Sequence, residues 1–365
     1  MDPEVIEAMI PVMQHQFGNP SSVHSYGRQT RALIENARKS IAKLLNTSPA
    51  ELFFTSGGTE ADNMAILGSI NDLGINHAIT TKIEHHAVLH TLENLEKQGK
   101  IKLSFVNIDA NGMVDLNHLE ELLANNSRSF VSLMEANNEI GNLLPIETVG
   151  ELCEKHNAVF HSDTVQTMGH YAHDLQKLKI HFITCAAHKF HGPKGVGFLY
   201  VNAAIKINPM IHGGSQERNM RGGTENVLGI IGLTKALEVA YRDMKEHHEH
   251  VQGLKTYMIE QLKANIAGVS FNGTATENSL YTVLNVHFPP TENAEMLLFN
   301  LDIMGIAASG GSACTSGSNQ GSHVLRGIQV DQTRPSIRFS FCKYTTKEEI
   351  DYTIQKLKEL FQSKS

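Results

Sequence analysis

The sequence lacks the features that mark disulfide-rich, membrane and secreted proteins, so a soluble globular protein is expected. Its 365 residues include only four cysteines, which are scattered without a Cys-x-x-Cys pair. Neither a zinc site nor a disulfide framework is indicated, so no metal is expected and a reducing, cytoplasmic setting is favoured. No apolar run reaches the length of a membrane span, and no signal-peptide pattern opens the chain.

An excess of positive charge is also absent. The formal net charge of -7 gives no electrostatic footprint for nucleic acid or for a membrane surface, so neither is expected as a partner. Hydrophobic residues make up 41% of the chain and charged residues 19%, which is ordinary for a globular enzyme. The length suits one large or two moderate domains.

Short apolar strands alternate with helices over the first two hundred residues. Strands are predicted at 51–55, 77–81, 101–106, 130–134, 159–161, 180–185 and 196–201. This alternation predicts a large α/β domain with a wound sheet, assigned to residues 14–245. A smaller α+β domain is assigned to residues 1–13 plus 246–365. The helical region 227–266 is expected to break or bend around Gly253.

The loop between the last two of these strands contains Lys189, beside His188 and among glycines. A lysine there is most simply a solvated loop residue. The alternative is a Schiff-base lysine, whose amine must lie close to an aldehyde and stay largely unprotonated. His-Lys among glycines is a weak signal alone.

A second loop, Ser56-Gly57-Gly58-Thr59, links a strand to an apolar helix. Backbone N–H groups at that helix N-terminus, together with the Thr59 hydroxyl, would hold a phosphate. An ordinary helix cap by Ser56 or Thr59 is the alternative interpretation.

Polar groups recur where the predicted strands end, which is the edge of an open α/β sheet where ligands bind. They are Thr59, His85, Asn138, Asp163 and Lys189. Together they match what pyridoxal phosphate requires: a lysine for the aldehyde, a carboxylate for the ring nitrogen, a phosphate cradle and a group over the ring.

The other candidate contacts follow from that match. Asp163 would keep the ring nitrogen protonated, although a turn or helix cap is its simpler role. Gln166 and Asn138 would lie near the ring hydroxyl, and His85 on the ring face. Gly58, Thr59 and His188 are the candidates for the phosphate.

One cysteine, Cys314, lies in a long stretch of small polar residues, 308–323. Cysteines are usually buried, so this position suits a nucleophile that must visit one site and present its cargo elsewhere. Arg338, flanked by apolar strand residues, is a candidate to bind a substrate carboxylate.

These motifs together resemble the cysteine desulfurases of the NifS/IscS type, which are fold-type I pyridoxal phosphate enzymes. The resemblance covers nearly the whole chain. It rests on Thr-Ser-Gly-Gly-Thr-Glu, Glu-His-His-Ala-Val, Asn-Asn-Glu-Ile-Gly, Asp-Thr-Val-Gln, His-Lys-Phe-His-Gly-Pro-Lys-Gly, Arg-Gly-Gly-Thr-Glu-Asn and Gly-Ser-Ala-Cys-Thr-Ser.

The resemblance implies that sulfur passes from L-cysteine to Cys314 as a persulfide, leaving L-alanine. It assigns the Schiff base to Lys189, ring stacking to His85, the ring nitrogen to Asp163 and substrate binding to Arg338 and Asn138. It implies a homodimer in which Thr224 reaches the partner subunit's phosphate site. The long cysteine loop resembles the branch that hands sulfur to proteins such as an iron–sulfur scaffold.

Two departures from the family pattern are visible. Relatives usually open with a strand and a Leu-Asp-Asn-Ala-Ala-Thr-Thr-Pro segment, whereas this sequence begins at Met1, after the place where that segment would end. The position two before His188 is usually a phosphate-binding Ser, and here it is Ala186. A neighbouring hydroxyl, that of Thr184, alternates in step with Ala186 along the strand.

Other functions therefore stay open at this point. One is a degenerate paralogue that folds and binds partners but turns over poorly. Another is a selenocysteine lyase or an aminotransferase, which would not need Cys314 on such a loop.

Overall fold

The computed structural model describes residues 1–291, 294–310 and 321–362. The chain divides into two compact units that alternate along the sequence. The first unit comprises Met1–Val106, Leu116–Glu135 and Pro145–Met244. The second comprises Asn107–Asp115, Ala136–Leu144 and the residues from Lys245 onward.

A seven-stranded mixed sheet forms the centre of the first unit, in the order β1-β7-β6-β5-β4-β2-β3. Strands β3, β2, β4, β5 and β6 run parallel to one another, whereas β7 runs antiparallel to both β6 and β1. The α/β class predicted from the sequence is confirmed. The strands are β1 (Leu52–Thr55), β2 (His77–Thr80), β3 (Lys102–Phe105), β4 (Phe130–Ser132), β5 (Val159–Asp163), β6 (Phe182–Ala186) and β7 (Gly197–Val201).

Helices surround this sheet and bury apolar side chains against it. The core between α3, α4 and the strands includes Ala61, Met64, Val88, Leu92 and Phe130. Each large apolar side chain buried there contributes about 1.5–3 kcal/mol. The helices of this unit are α1 (Pro3–His15), α2 (Ser25–Leu44), α3 (Gly58–Asp72), α4 (His86–Lys97), α5 (Leu116–Ala124), α6 (Ile146–Lys155) and α7 (Val227–Arg242).

The division into units differs from the predicted domain boundaries in several places. Helix α1, assigned to the small domain, packs against α7, and its N-cap Asp2 donates a backbone N–H to His191 O at 3.0 Å. It therefore belongs to the first unit. Residues 107–115 and 136–144, assigned to the large domain, cluster with the second unit. Leu280 N donates to Gly141 O at 2.7 Å, and Asn142 Nδ2 donates to Asn111 O at 2.6 Å.

The second unit contains a three-stranded antiparallel sheet in the order β10-β9-β8. In it Arg338 is paired with Asn285 across the two longer strands. Its strands are β8 (Ser270–Phe271), β9 (Val283–His287) and β10 (Ser336–Ser340), and its helices are α8 (Met244–Asn265), α9 (Leu297–Ile303), α10 (His323–Gly327) and α11 (Lys347–Gln362). Over the described ranges, no helix is both long and apolar enough to cross a membrane.

The expected break at Gly253 is wrong. Helix α8 runs through Gly253, which is exposed, and the helical region divides instead at Asp243, the C-cap of α7. A single glycine costs a helix only about 1 kcal/mol relative to alanine, so it does not by itself end one. The division falls where the first unit ends, at Met244.

Candidate active site

The ends of β5 and β6 place the central candidates along one edge of the sheet. Asp163 is the last residue of β5 and is paired with Thr184 of the neighbouring strand. Two residues beyond Thr184, β6 ends, and a turn of 3₁₀ helix, Ala187–Phe190, carries Lys189 at an exposed position. A buried carboxylate and an accessible amine therefore follow adjacent parallel strands.

A second carboxylate and an imidazole meet at Asp163. One ligand atom each of Asp62, His85 and Asp163 lies within 4.8 Å of the others. Asp62 comes from α3, and His85 is the N-cap of α4. The His85 Nδ1 accepts a hydrogen bond from the Ala87 N–H at 3.2 Å. The neutral ring therefore carries its proton on Nε2.

Burial determines the charges in this cluster. It raises the pKa of Asp62 to about 7, more than the Thr184 hydroxyl lowers it. Burial, and then repulsion by Asp62, raise the pKa of Asp163 to about 6, while His85 acts in the opposite direction. Two buried carboxyl groups at this distance oppose each other's ionisation. A cation beside Asp163 would offset that repulsion and would therefore bind favourably.

His161 lies beneath the two acids and is fully buried. Burial lowers its pKa to about 4, so the ring is neutral at physiological pH. Its Nδ1 contacts Ser132 Oγ at 2.8 Å, and its Nε2 contacts Thr184 Oγ1 at 3.1 Å and Asp62 Oδ1 at 3.4 Å. The Thr184 hydroxyl is thus engaged in the interior and does not replace the serine hydroxyl missing at position 186.

The N-terminus of α3 is open to a ligand. Its N-cap is Gly57, and among the described residues no side chain makes a capping hydrogen bond there. Neither Ser56 nor Thr59 is therefore an ordinary cap. A side chain at Gly58 would displace Val165, since a Cβ would lie 2.8 Å from Val165 Cγ2. Thr59 is exposed in the first turn, so its hydroxyl and the free N–H groups are accessible together.

The remaining candidates of the first unit lie in loops. Gln166 is half-buried in the turn after β5, where Asp163 Oδ1 accepts from the Val165 N–H at 2.9 Å. Asp163 therefore caps this turn, which is the simpler role considered for it from the sequence. Partial burial, followed by the charges of Lys189 and Lys194, lowers the pKa of His188.

Thr224 is exposed at the end of the glycine-rich loop 212–224. It lines a cleft of about 230 Å³ together with Ser56 and Gly195. The loop that precedes α3 and the loop that carries Thr224 are therefore neighbours within the first unit.

In the second unit, Arg338 and Asn138 are in direct contact. The Arg338 Nη1 donates to Asn138 O at 2.8 Å. The backbones of Arg338 and Ser309 are hydrogen-bonded to each other, at 2.7 and 3.2 Å, so residue 309 extends the edge of β10. Cys314 lies outside the described residues. Beyond it, Ser322 Oγ donates to the buried Glu139 carboxylate at 2.5 Å.

Sequence reasoning missed two features of this site. Asp62 was overlooked, although an acid among the buried Ala61, Met64 and Ala65 of α3 is a usable signal. The ion pair between Glu60 and Arg221 was also overlooked, because its members lie 161 residues apart.

Comparison with known families matches residues 1–353 to the aminotransferase class-V family. The chain therefore belongs to this family.

Among individual proteins, the chain is 44% identical to the cysteine desulfurase IscS of Dictyoglomus turgidum, over 98% of this chain and 91% of that protein. The solved structure of a NifS-like protein superposes with a TM-score of 0.91 at 37% identity, covering 100% of this chain and 96% of the other. The structure of SspA in complex with cysteine gives a TM-score of 0.81 at 30% identity, with 95% and 97% coverage.

Proposed function

We propose that this protein is a pyridoxal phosphate-dependent cysteine desulfurase, which converts L-cysteine to L-alanine and transfers the sulfur to Cys314. The proposal rests on one arrangement: His85 lies beside the buried Asp163 at the end of β5, and Lys189 lies in the turn that follows the neighbouring strand β6. The 44% identity to an IscS desulfurase over nearly the whole chain supports the same conclusion.

The residues of the first unit fit the cofactor by their chemistry. The buried Asp163 carboxylate suits a protonated ring nitrogen, and Lys189 supplies the primary amine that an aldehyde needs. The uncapped N-terminus of α3, with Gly58 and Thr59, suits the phosphate, as does His188. His85 would lie against the ring and Gln166 near its hydroxyl, where Asn138 of the second unit is the other residue proposed. When bound, the cofactor would supply an electron sink for the substrate Cα.

Three side chains then divide the proton chemistry. With the cofactor bound, the Lys189 Nζ would be the base that removes the substrate Cα proton. The Asp163 carboxylate would hold the ring nitrogen in its protonated form. His85 carries a proton on Nε2, because its Nδ1 accepts from the Ala87 N–H, so Nε2 is the atom that can donate.

Sulfur transfer requires a thiolate. The Cys314 thiolate attacks the sulfur of the bound substrate, an S–S bond forms and the substrate C–S bond breaks. The bonding pair stays on the substrate Cβ, which takes a proton, and the Cα regains the proton that Lys189 removed, which gives L-alanine. Arg338 would hold the substrate carboxylate, with Asn138 beside it.

The proposed assembly is a homodimer in which Thr224 reaches the partner subunit's phosphate site. Its exposure at the end of loop 212–224 supports this role. Thr224→Ala should then lower cofactor occupancy of the dimer, and unchanged occupancy would contradict the assignment. The persulfide on Cys314 would pass to an acceptor protein such as an iron–sulfur scaffold.

Replacing Cys314 by serine tests the function. We expect Cys314→Ser to abolish persulfide formation, seen by mass spectrometry of the intact protein, and to stop sulfide release from L-cysteine, while the cofactor stays bound. If the variant still released sulfide from L-cysteine, or worked undiminished as a selenocysteine lyase or transaminase, the desulfurase proposal would be wrong.

A further inference from the structure

The helix N-terminus that suits the phosphate also carries a carboxylate. Glu60 lies in the first turn of α3, directly after Thr59. An acidic side chain there stabilises an unliganded helix through the helix dipole. The same charge repels a phosphate bound to the same N–H groups, so a site for an anion needs Glu60 to be neutralised.

Arg221 supplies that neutralisation. Its Nε donates to Glu60 Oε1 at 2.8 Å, and its Nη2 donates to Oε2 at 3.1 Å. The pair is a two-point contact, and only 9% of the Glu60 side chain and 23% of the Arg221 side chain are exposed. Partial burial makes such a contact stronger and less screened by salt than a surface ion pair.

Glu60 also fixes the loop before the helix. The Ser56 N–H donates to Glu60 Oε2 at 3.0 Å. Although burial acts to raise it, the contacts with Arg221 and Ser56 hold the pKa of Glu60 below its usual value. The carboxylate is therefore ionised, and its charge is taken up by one guanidinium and one backbone N–H.

Arg221 belongs to the loop that ends at Thr224. This loop is tightly packed: Gly222 N donates to Ile211 O at 2.9 Å, and a Cβ on Gly222 would lie 2.7 Å from Gly213 N. The ion pair therefore connects the start of α3 to the segment that presents Thr224 at the cleft.

We propose that Arg221 is a positioning residue for the cofactor phosphate: it cancels the charge of Glu60 at the N-terminus of α3. The same ion pair fixes the loop whose Thr224 is proposed for the partner subunit's phosphate site. This inference rests on the proposed function, because it assumes that a phosphate binds at the N-terminus of α3. It assigns no chemical step to Arg221.

The test compares two ligands that differ only in the phosphate. Affinities for pyridoxal phosphate and for pyridoxal are measured by absorbance with the cofactor-free protein, for the wild type, Glu60→Gln, Arg221→Met and the double variant. We expect Arg221→Met to lower the preference for the phosphorylated ligand about tenfold, because Glu60 is left uncompensated. In the double variant the preference should return toward that of the wild type.

Arg242→Met is the matched control, since Arg242 forms a two-point pair with Glu4 on an exposed surface of α1 and α7. It should leave the preference unchanged. The proposal is overturned if Arg221→Met keeps the wild-type preference, or if the double variant is as impaired as Arg221→Met, which would indicate a purely structural contact. A wild type with no preference for the phosphorylated ligand would instead overturn the proposed function.

Discussion

The two ends of the candidate site in the first unit are built in opposite ways. At the ring end, Asp62, Asp163 and His161 are buried, and their charges are governed by burial and by one another. At the end proposed for the phosphate, called the phosphate end, Thr59 is exposed, and the N-terminus of α3 has no side-chain cap among the described residues.

This difference indicates what each end contributes. A buried acid is preorganised: it holds a cation in a fixed place and changes the chemistry of whatever binds it. An exposed set of hydroxyl and N–H groups is satisfied by water until a ligand arrives, so it contributes binding. We therefore expect substitutions at the ring end to affect the rate, and substitutions at the phosphate end to affect cofactor affinity.

The largest expected effect is at the ring end. Asp163→Asn should lower alanine formation about 10²–10³-fold at saturating cofactor, the usual loss when one preorganised electrostatic contact is removed. The amide can still accept from the Val165 N–H, so the fold should persist, as circular dichroism would show. A variant that stays close to the wild-type rate would remove the distinction between the two ends.

A smaller effect is expected at the phosphate end. Thr59→Ala should weaken cofactor binding by about 1.5–3 kcal/mol, the value of a hydrogen bond to a charged group, with little change in the rate at saturation. Thr234→Ala serves as the control, because its hydroxyl donates to Ile230 O inside α7. A large loss of rate at saturating cofactor in Thr59→Ala would contradict the comparison.

The smallest effect concerns Asp62 and the pH dependence of stability. Its pKa is raised from 3.8 to about 7, so between these values the folded protein holds a proton that the unfolded chain has lost. The stability of the folded protein is therefore unaffected by Asp62 ionisation below pH 4, and it declines as the pH rises from 4 toward 7, because the unfolded chain ionises first. Asp62→Asn should remove that decline.

Thermal unfolding of the cofactor-free protein between pH 4 and 8 measures this effect. The difference in melting temperature between Asp62→Asn and the wild type should grow in favour of the variant as the pH rises. A difference that is constant across this range would show that Asp62 ionises at its ordinary pKa and that water reaches its carboxyl group.

Much of this organisation could be predicted from the sequence. The strands lie within about two residues of their predicted positions, because short apolar runs bounded by polar turns are a local signal. The edge of the sheet was predicted for the same reason: Asp163 and Lys189 lie at or just after the ends of strands, and parallel strands end together.

What could not be predicted depends on contacts distant in sequence. Strand β7 pairs with both β1 and β6 at one edge of the sheet, and no repeating sequence pattern indicates these pairings. The pair formed by Glu60 and Arg221 is of the same kind. Asp62 is different, because its burial could be predicted from the apolar residues around it in α3. Its neighbours His85 and Asp163 could not be predicted, because they are distant in sequence.

The central claim is that Lys189, Asp163 and His85 form the site of a working cysteine desulfurase. The most direct test is the visible absorbance of the purified protein with pyridoxal phosphate, before and after L-cysteine, with alanine and sulfide measured together. The account predicts a band of lysine-bound cofactor that shifts with L-cysteine, and alanine formed in step with sulfide. A protein that shows no such band after incubation with the cofactor would contradict the account and favour a degenerate paralogue.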